Sequence, residues 1–347
     1  MKILIIITFL FITHITVCSA QPNIWSVSKD PAQKAAFSEI QDAIDAASPG
    51  DYIYIYPSIY ENGFTLEKSL IVVGPGYFLG DNLNTQVNKS PAHIKGEISI
   101  GANTAGTILT GLYAGNKVSI QNTNNILIKR NWISSLQIKE SIAITVKQNY
   151  IHGSSLTEVS NIHYSTLYIG SNTSNINILN NYIKNNDRIW ISGSRCAAVL
   201  TAQNNSVSCL LRNNILDGYL NGYNISFENN ILVGGSAMSL TTCSYKNNIA
   251  SGTSFGSSDG NQSNVYANEI FVGSFSNPSA DGQWQLKEGS PAKEAGLDGV
   301  DCGMFGGSDP YVLSGIPEIP AIYFFQAPEG ASTTNGLPVH LKIKSHQ

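Results

Sequence analysis

Apolar and polar residues alternate along this chain in short runs, and one run keeps returning. Ile126 and Ile128 stand just ahead of Asn131, Ile144 and Val146 ahead of Asn149, and Ile176 and Ile178 ahead of Asn181. Leu127, Lys129, Thr145, Lys147, Asn177 and Leu179 alternate with them. Two is the period of a strand, so the first set faces an interior and the second faces out. Each asparagine is followed two residues on by isoleucine: Asn131/Ile133, Asn149/Ile151, Asn181/Ile183, Asn213/Ile215, Asn229/Ile231 and Asn247/Ile249. The steps between asparagines are 18, 32, 32, 16 and 18 residues, so a long step is two short coils or one coil with a loop. Such recurrence marks stacked repeats that cover one another's apolar edges. Asparagine tolerates the left-handed backbone of a corner, and stacked carboxamides bond along the axis. The pattern therefore predicts a structural ladder of Asn131, Asn149, Asn181, Asn213, Asn229 and Asn247, with each following isoleucine re-entering the core.

The flanking stretches predict how the stack begins and ends. In residues 36–47, Phe37, Ile40, Ile44 and Ala47 fall three or four apart, the spacing of one helix face, with Ser38, Asp42 and Asp45 opposite. Pro49-Gly50-Asp51 ends that helix, and Tyr52-Ile53-Tyr54-Ile55-Tyr56 reads as the strand it feeds. A helix there would cover the open edge of the first coil. Short strands follow at 70–73, 94–100 and 108–112. Past Ile249 the period fades into a Ser/Gly/Asn-rich loop at 251–264, with last strands at 270–275 and 284–286. Pro310, Pro317 and Pro320 make 311–322 an extended segment lying across the stack, and 339–343 alternates like one closing strand.

Residues 36–62, AFSEIQDAIDAASPGDYIYIYPSIYEN, resemble the N-terminal cap and first coil of right-handed parallel β-helix proteins of the pectate-lyase-like superfamily. The resemblance runs on through the Asn-x-Ile repeats and into residues 289–307, GSPAKEAGLDGVDCGMFGG, which are similar to the closing segment of exported bacterial β-helix proteins. It implies an all-β fold: a right-handed parallel β-helix, a single-stranded solenoid with an N-terminal capping helix. The expected division is a signal peptide at 1–20, the β-helix at 21–310 with its irregular closing segment from about 265, and an extended tail at 311–347. Eight to ten coils at about 4.8 Å each make a rod roughly 40–50 Å long. The resemblance does not imply one activity, because that superfamily holds lyases, hydrolases, epimerases and adhesins.

Composition adds compartment and excludes some partners. Lys2, the apolar run 3–17 and Cys18-Ser19-Ala20 have the order of a secretory signal cleaved after Ala20, which places the protein outside the cell or on its surface. A lipid anchor on Cys18 is the lesser alternative, since Val17 stands where a small residue is expected. No later segment is long and apolar enough to span a bilayer. Only 13% of residues are charged, with ample Ile, which argues against disorder. A net charge of −4 gives no reason to expect nucleic acid or an anionic membrane as partner. Cys196, Cys209, Cys243 and Cys302 allow three disulfide connectivities, but buried free thiols are the favoured reading. Their spacing suits no zinc site.

The superfamily's enzymes bind substrate along the strand ahead of each asparagine-bearing strand, here 118–120, 136–138, 167–169 and 189–191. The outward positions there are Ser119, Gln137, Tyr168 and Trp190, with Lys139, His163, Arg188 and Arg195 nearby. Gln137, Lys139, His163, Tyr168, Arg188, Trp190 and Arg195 are the candidate ligand-binding residues, since flat aromatic faces and polar neighbours suit sugar. Catalytic sets are missing. Glu140, Glu158, Asp187, Asp217 and Glu228 are too scattered to hold calcium or to form a hydrolase pair. His152-Gly153 is an isolated dipeptide without the aspartates of a polygalacturonase, and Asp298-Gly299-Val300-Asp301 lacks the further ligands of a calcium loop. The expectation is an exported, non-catalytic β-helix that binds polysaccharide or another extended ligand along one face, with no cofactor and no metal. Its alternatives are a calcium-independent polysaccharide lyase using Arg and Lys, and a purely structural rod.

Overall fold

The computed structural model describes residues 21–153, 164–185, 190–191, 194–195, 197–202, 208–234, 239–330 and 336–345. Residues 1–20, expected to be a signal peptide, and His163, Arg188 and Cys196 lie outside that set. The chain winds as a parallel β-solenoid with three faces. The first face is a ten-stranded parallel sheet running from Ile24–Val27 to Ser244–Lys246. The second and third faces form one larger sheet, because Tyr113–Gln121 and Trp132–Lys139 are long enough to run through the corner between them. Nine steps of about 4.8 Å make the first face roughly 43 Å tall.

The interior is the alternation read above. Ile126, Ile128, Ile144, Val146, Ile176 and Ile178 are buried in one continuous aliphatic cluster, joined from the third face by Val118, Ile120, Leu136, Ile138, Leu167 and Ile169. Helix Ile40–Ala46 lays Ile40, Ala43 and Ile44 against the first coil and adds them to that cluster. Asp51 fixes the turn after it. Its carboxylate accepts from the backbone N–H groups of Asn23 and Ser48 and from the Trp25 indole, at 2.8–2.9 Å.

At the corner between the first and second faces the structure separates two roles that the sequence pattern assigns to one asparagine. The ladder runs through Asn131, Asn149, Asn181, Asn214, Asn230, Asn248 and Asn261. From Asn149 onward each side-chain oxygen accepts both the backbone N–H and the side-chain NH2 of the asparagine one rung below, as Asn149 does from Asn131 at 2.9 and 3.1 Å, while the Asn131 oxygen accepts from the Leu112 N–H. The same NH2 groups also donate to buried carbonyls, such as Lys129 and Leu109 for Asn131. Asn213, Asn229 and Asn247 are therefore not rungs of the ladder. They lie one residue earlier, with Arg130, Gln148 and Asn180, in a column where φ is 53–56°. Asn-Asn pairs made the two positions indistinguishable by residue type. The shift also moves the isoleucines. Ile133, Ile151 and Ile183 are in the core, but Ile215, Ile231 and Ile249 stack on Tyr182 at an outward position, and Leu216, Leu232 and Ala250 take the core place.

Both long steps are single coils with loops, because Asn149 bonds directly to Asn181 and Asn181 to Asn214. In the second insertion, Trp190–Ile191 pairs antiparallel with Ser194–Arg195, and the rung itself is supplied by Ala197–Ala202.

The outward residues of the second face are covered by the C-terminal part of the chain. Residues 295–316 run back along the stack as a strap, meeting the left-handed column in reverse order. Asn247 donates to the Ala295 carbonyl, Asn229 accepts from the Leu297 N–H, and Asn213 donates to Asp301. Asn180 then donates to Met304 and Gly306, Gln148 to Pro310, and Arg130 to Ile316. Beneath the strap lies a second apolar cluster of Tyr150, Tyr182, Ile215, Ile231, Ile249, Cys302, Met304 and Tyr311. The strap crosses residue 310 without a break, so the expected body and tail are continuous there. Residues 270–275 and 284–286, expected as strands, meet in an isolated antiparallel bridge between Phe271 and Leu286, flanked by short helices at Ala267–Ile270 and Gly273–Ser276 and a 3-10 turn at Gly282–Trp284. His340–Lys344 closes no coil; it pairs antiparallel with Ala321–Gln326.

Cys209, Cys243 and Cys302 are free thiols, two of them buried. Cys209 and Cys243 share one core column with Ile225 between them, a separation of roughly 10 Å that exceeds disulfide reach.

Two outcomes follow. Asn214→Ala strands several buried donors and acceptors and should lower the unfolding free energy by about 2–4 kcal/mol, against about 1 kcal/mol for Asn213→Ala, as read by urea unfolding. Hydrogen bonding holds the Asp51 carboxyl down at about 2, from an ordinary 3.8. Its folded-state pKa is depressed, so its contribution is complete above about pH 4 and lost as pH falls through about 2. The destabilisation of Asp51→Asn relative to the native chain should shrink over that window.

Candidate functional site

The third face carries the site. Its core-facing residues alternate with an outward column that register fixes rung by rung, Thr65, Ser99, Ser119, Gln137 and Tyr168, and the backbone register carries on through Thr201, Asn221 and Ser239. Every member is polar and uncharged. A groove of about 660 Å³ opens over its N-terminal half, between Glu97 and Lys117 on one side and Glu67, Asn103, Gln121 and Asn122 on the other. It lies beside the corner loops because their backbone turns outward there: Asn103 and Asn122 have φ of 64° and 55°.

The groove's one lysine is paired within it, and Glu67 leaves the lining with an excess of one acid. Lys117 pairs with Glu97 at 3.1 Å, and Gln121 donates to Glu140 at 2.9 Å. The Lys139 ammonium sits 5.6 Å from the centroid of the Tyr168 ring, a cation–π contact. Gly170 makes room for it, since a Cβ there would lie 2.8 Å from Lys139 Cγ and 3.1 Å from Tyr168 Cε1. Burial pushes the Tyr168 hydroxyl pKa up, so it is a neutral donor and acceptor at ordinary pH. The column thus offers hydroxyls, amides and the Tyr168 ring, with Lys117 and Lys139 beside it already engaged.

Of the candidate residues, Gln137, Lys139 and Tyr168 come together on this face. Trp190 and Arg195 do not continue its column. They pair with each other in the inserted hairpin, and the position expected for Trp190 is held by Thr201. The insertion displaced the count by one strand. His163 and Arg188 lie outside the described residues. Glu67, Glu97, Ser99, Lys117 and Gln121 line the groove without having been singled out. Their signal was parity: Ser99 falls midway between Ile98 and Ile100, as Ser119 does between Val118 and Ile120.

Among the described residues no group of three His, Cys, Asp or Glu side chains could hold a metal ion. Asp301, expected within a closing segment, serves the strap: its carboxylate accepts from the Glu294 N–H and its carbonyl from Asn213. No helix among the described residues is long and apolar enough to cross a membrane. No family model matches the chain, and the comparisons with curated proteins and with solved structures likewise give no match.

The groove side chains are peripheral to what holds the fold. Lys117→Ala and Gln137→Ala should each change the unfolding free energy by less than about 1 kcal/mol, since exposed pairs contribute about 0–1 kcal/mol, and urea midpoints will read the difference.

Proposed function

We propose that this protein is an exported, non-catalytic rod that binds a polysaccharide of low charge along its third face. The observation that carries the reading is the uncharged polar column from Thr65 to Tyr168, whose members Thr65, Ser99, Ser119 and Gln137 line the groove, with Lys117 there paired to Glu97 and Lys139 beyond it held over Tyr168. Rungs about 4.8 Å apart repeat the same donor and acceptor groups, which suits a ligand that itself repeats along its length. A lyase acting on uronic acids would need unpaired cations to neutralise a carboxylate and a base for the α-proton. Lys117 and Lys139 are poorly placed for that task, so binding without turnover is preferred.

The finer description of the scaffold belongs to the same proposal. We infer that the coils wind right-handed, since about 98% of parallel strand–crossover–strand units do. Helix Ile40–Ala46 then acts as the N-terminal cap, and the chain is of the pectate-lyase-like kind. Export rests on residues 1–20, whose order of charged, apolar and small residues is that of a cleaved leader.

Affinity electrophoresis through gels containing neutral and acidic polysaccharides tests the reading. Retardation in at least one neutral gel is expected, weakened about tenfold or more by Tyr168→Ala and by Gln137→Ala. No retardation in any gel would leave a structural rod, and release of unsaturated, ultraviolet-absorbing product from an acidic polysaccharide would make the protein a lyase.

A further inference from the structure

The C-terminal hairpin leaves one of its two faces bare. Ala321–Gln326 and His340–Lys344 pair antiparallel, with a bulge at Tyr323. Cross-strand partners share a face, so register divides the side chains cleanly. Ile322 opposite Ile343 and Phe325 opposite Leu341 make one face, and Val339 continues its parity. Ala321, Phe324, Gln326, His340, Lys342 and Lys344 make the other. On that second face Ala321 is buried, Lys342 lies 5.4 Å from the Phe324 ring centroid, and the other side chains are exposed and, Phe324 apart, polar. The first face is exposed and wholly apolar. Ile322, Phe325, Val339, Leu341 and Ile343 are 45, 54, 40, 48 and 55% exposed.

A two-stranded ribbon is marginal in water by itself and gains stability when an apolar face is covered. Here the exposed face amounts to about 500 Å², near the upper end of what a monomer shows in one patch. Its identity as an interface follows from charge and area together. Both lysines of the hairpin strands, Lys342 and Lys344, lie on the side opposite the apolar face, and neither strand carries an acid. An anionic lipid surface that took up the apolar side chains would leave those lysines facing away from its headgroups. A second copy of the same face meets no such conflict, because two apolar faces pack against each other with every charge outside. Two copies would bury about 1,000 Å² in total, the lower end for a specific association.

We propose that the protein self-associates through this hairpin, two copies packing their Ile322/Phe325/Leu341/Ile343 faces together about a two-fold axis. The interface is isologous and therefore closed at two chains, and it lies away from the polysaccharide-binding face. An interface of this size belongs with weak, reversible associations.

Sedimentation equilibrium of the mature chain at 1–200 μM should show a monomer–dimer transition. Leu341→Lys and Phe325→Lys, on the apolar face, should weaken the dimer at least thirtyfold. Phe324→Lys, on the opposite face, should leave it within about threefold, and unchanged far-ultraviolet circular dichroism will show that the variants are folded. A chain that stays monomeric at 200 μM overturns the proposal. Equal loss by Phe324→Lys would also overturn it, as would flotation of a monomeric chain with anionic vesicles, which would assign the face to lipid.

Discussion

A chain that turns three corners per coil must bury polar backbone at each of them, and a buried N–H without a partner costs about 1–3 kcal/mol. The asparagine ladder is how this protein meets that constraint at the corner between its first and second faces. Each carboxamide replaces the missing backbone partners of the rung below it and carries its own donors to buried carbonyls. Ala supplies none of these bonds and leaves the carboxamide's volume empty. Everything else about the corner follows: the ladder residue is inward and buried, so the residue before it must take the left-handed conformation that swings its side chain out.

That outward column is what lets the solenoid carry a strap. Arg130, Gln148, Asn180, Asn213 and Asn247 donate in order to the strap's carbonyls, and Asn229 accepts from the strap's Leu297 N–H. Arg130 is almost wholly buried in the process. Its charge is met by Glu318 at 3.4 Å, by the Gln148 side chain and by the Ile316 carbonyl. Desolvation pushes its pKa down and Glu318 and Asp309 oppose that, which leaves a guanidinium its partners can keep charged. Near the same end, Asp281 is fully buried yet accepts from Asn82, Ser279, Tyr311 and the Ser314 N–H, tying three separate loops to one carboxylate.

The tube was legible in the sequence because its interior uses only size and parity: Ile144 and Val146 could hardly alternate so regularly for another reason. The ladder was legible in type but not in place. Asn213 and Asn214 are chemically the same residue, and only the direction of a backbone turn decides which one is inside. Trp190 was misplaced because an inserted hairpin copies the alternation of a rung without belonging to the stack. The strap left almost no periodic trace, since its bonds are made by backbone carbonyls and its few apolar anchors, Cys302, Met304 and Tyr311, fit a surface of irregular shape. Of the groove, Gln137, Lys139 and Tyr168 were visible as outward positions, whereas Glu97 and Lys117 depend on which corners fall next to one another.

A stack of coils is ordinarily a one-dimensional object, held by nearest neighbours and free to fray from either end. The strap changes its dimensionality. Residue 247 near one end is clipped to 295, and residue 130, several coils away, is clipped to 316 by the same continuous segment. A rung cannot peel off alone without also losing its clip, and loosening the clips exposes the second apolar cluster along several rungs at once. Opening this protein is therefore less like unstacking coins than like undoing a zip sewn to the fabric on both sides, and local fluctuations along the strapped coils share one threshold.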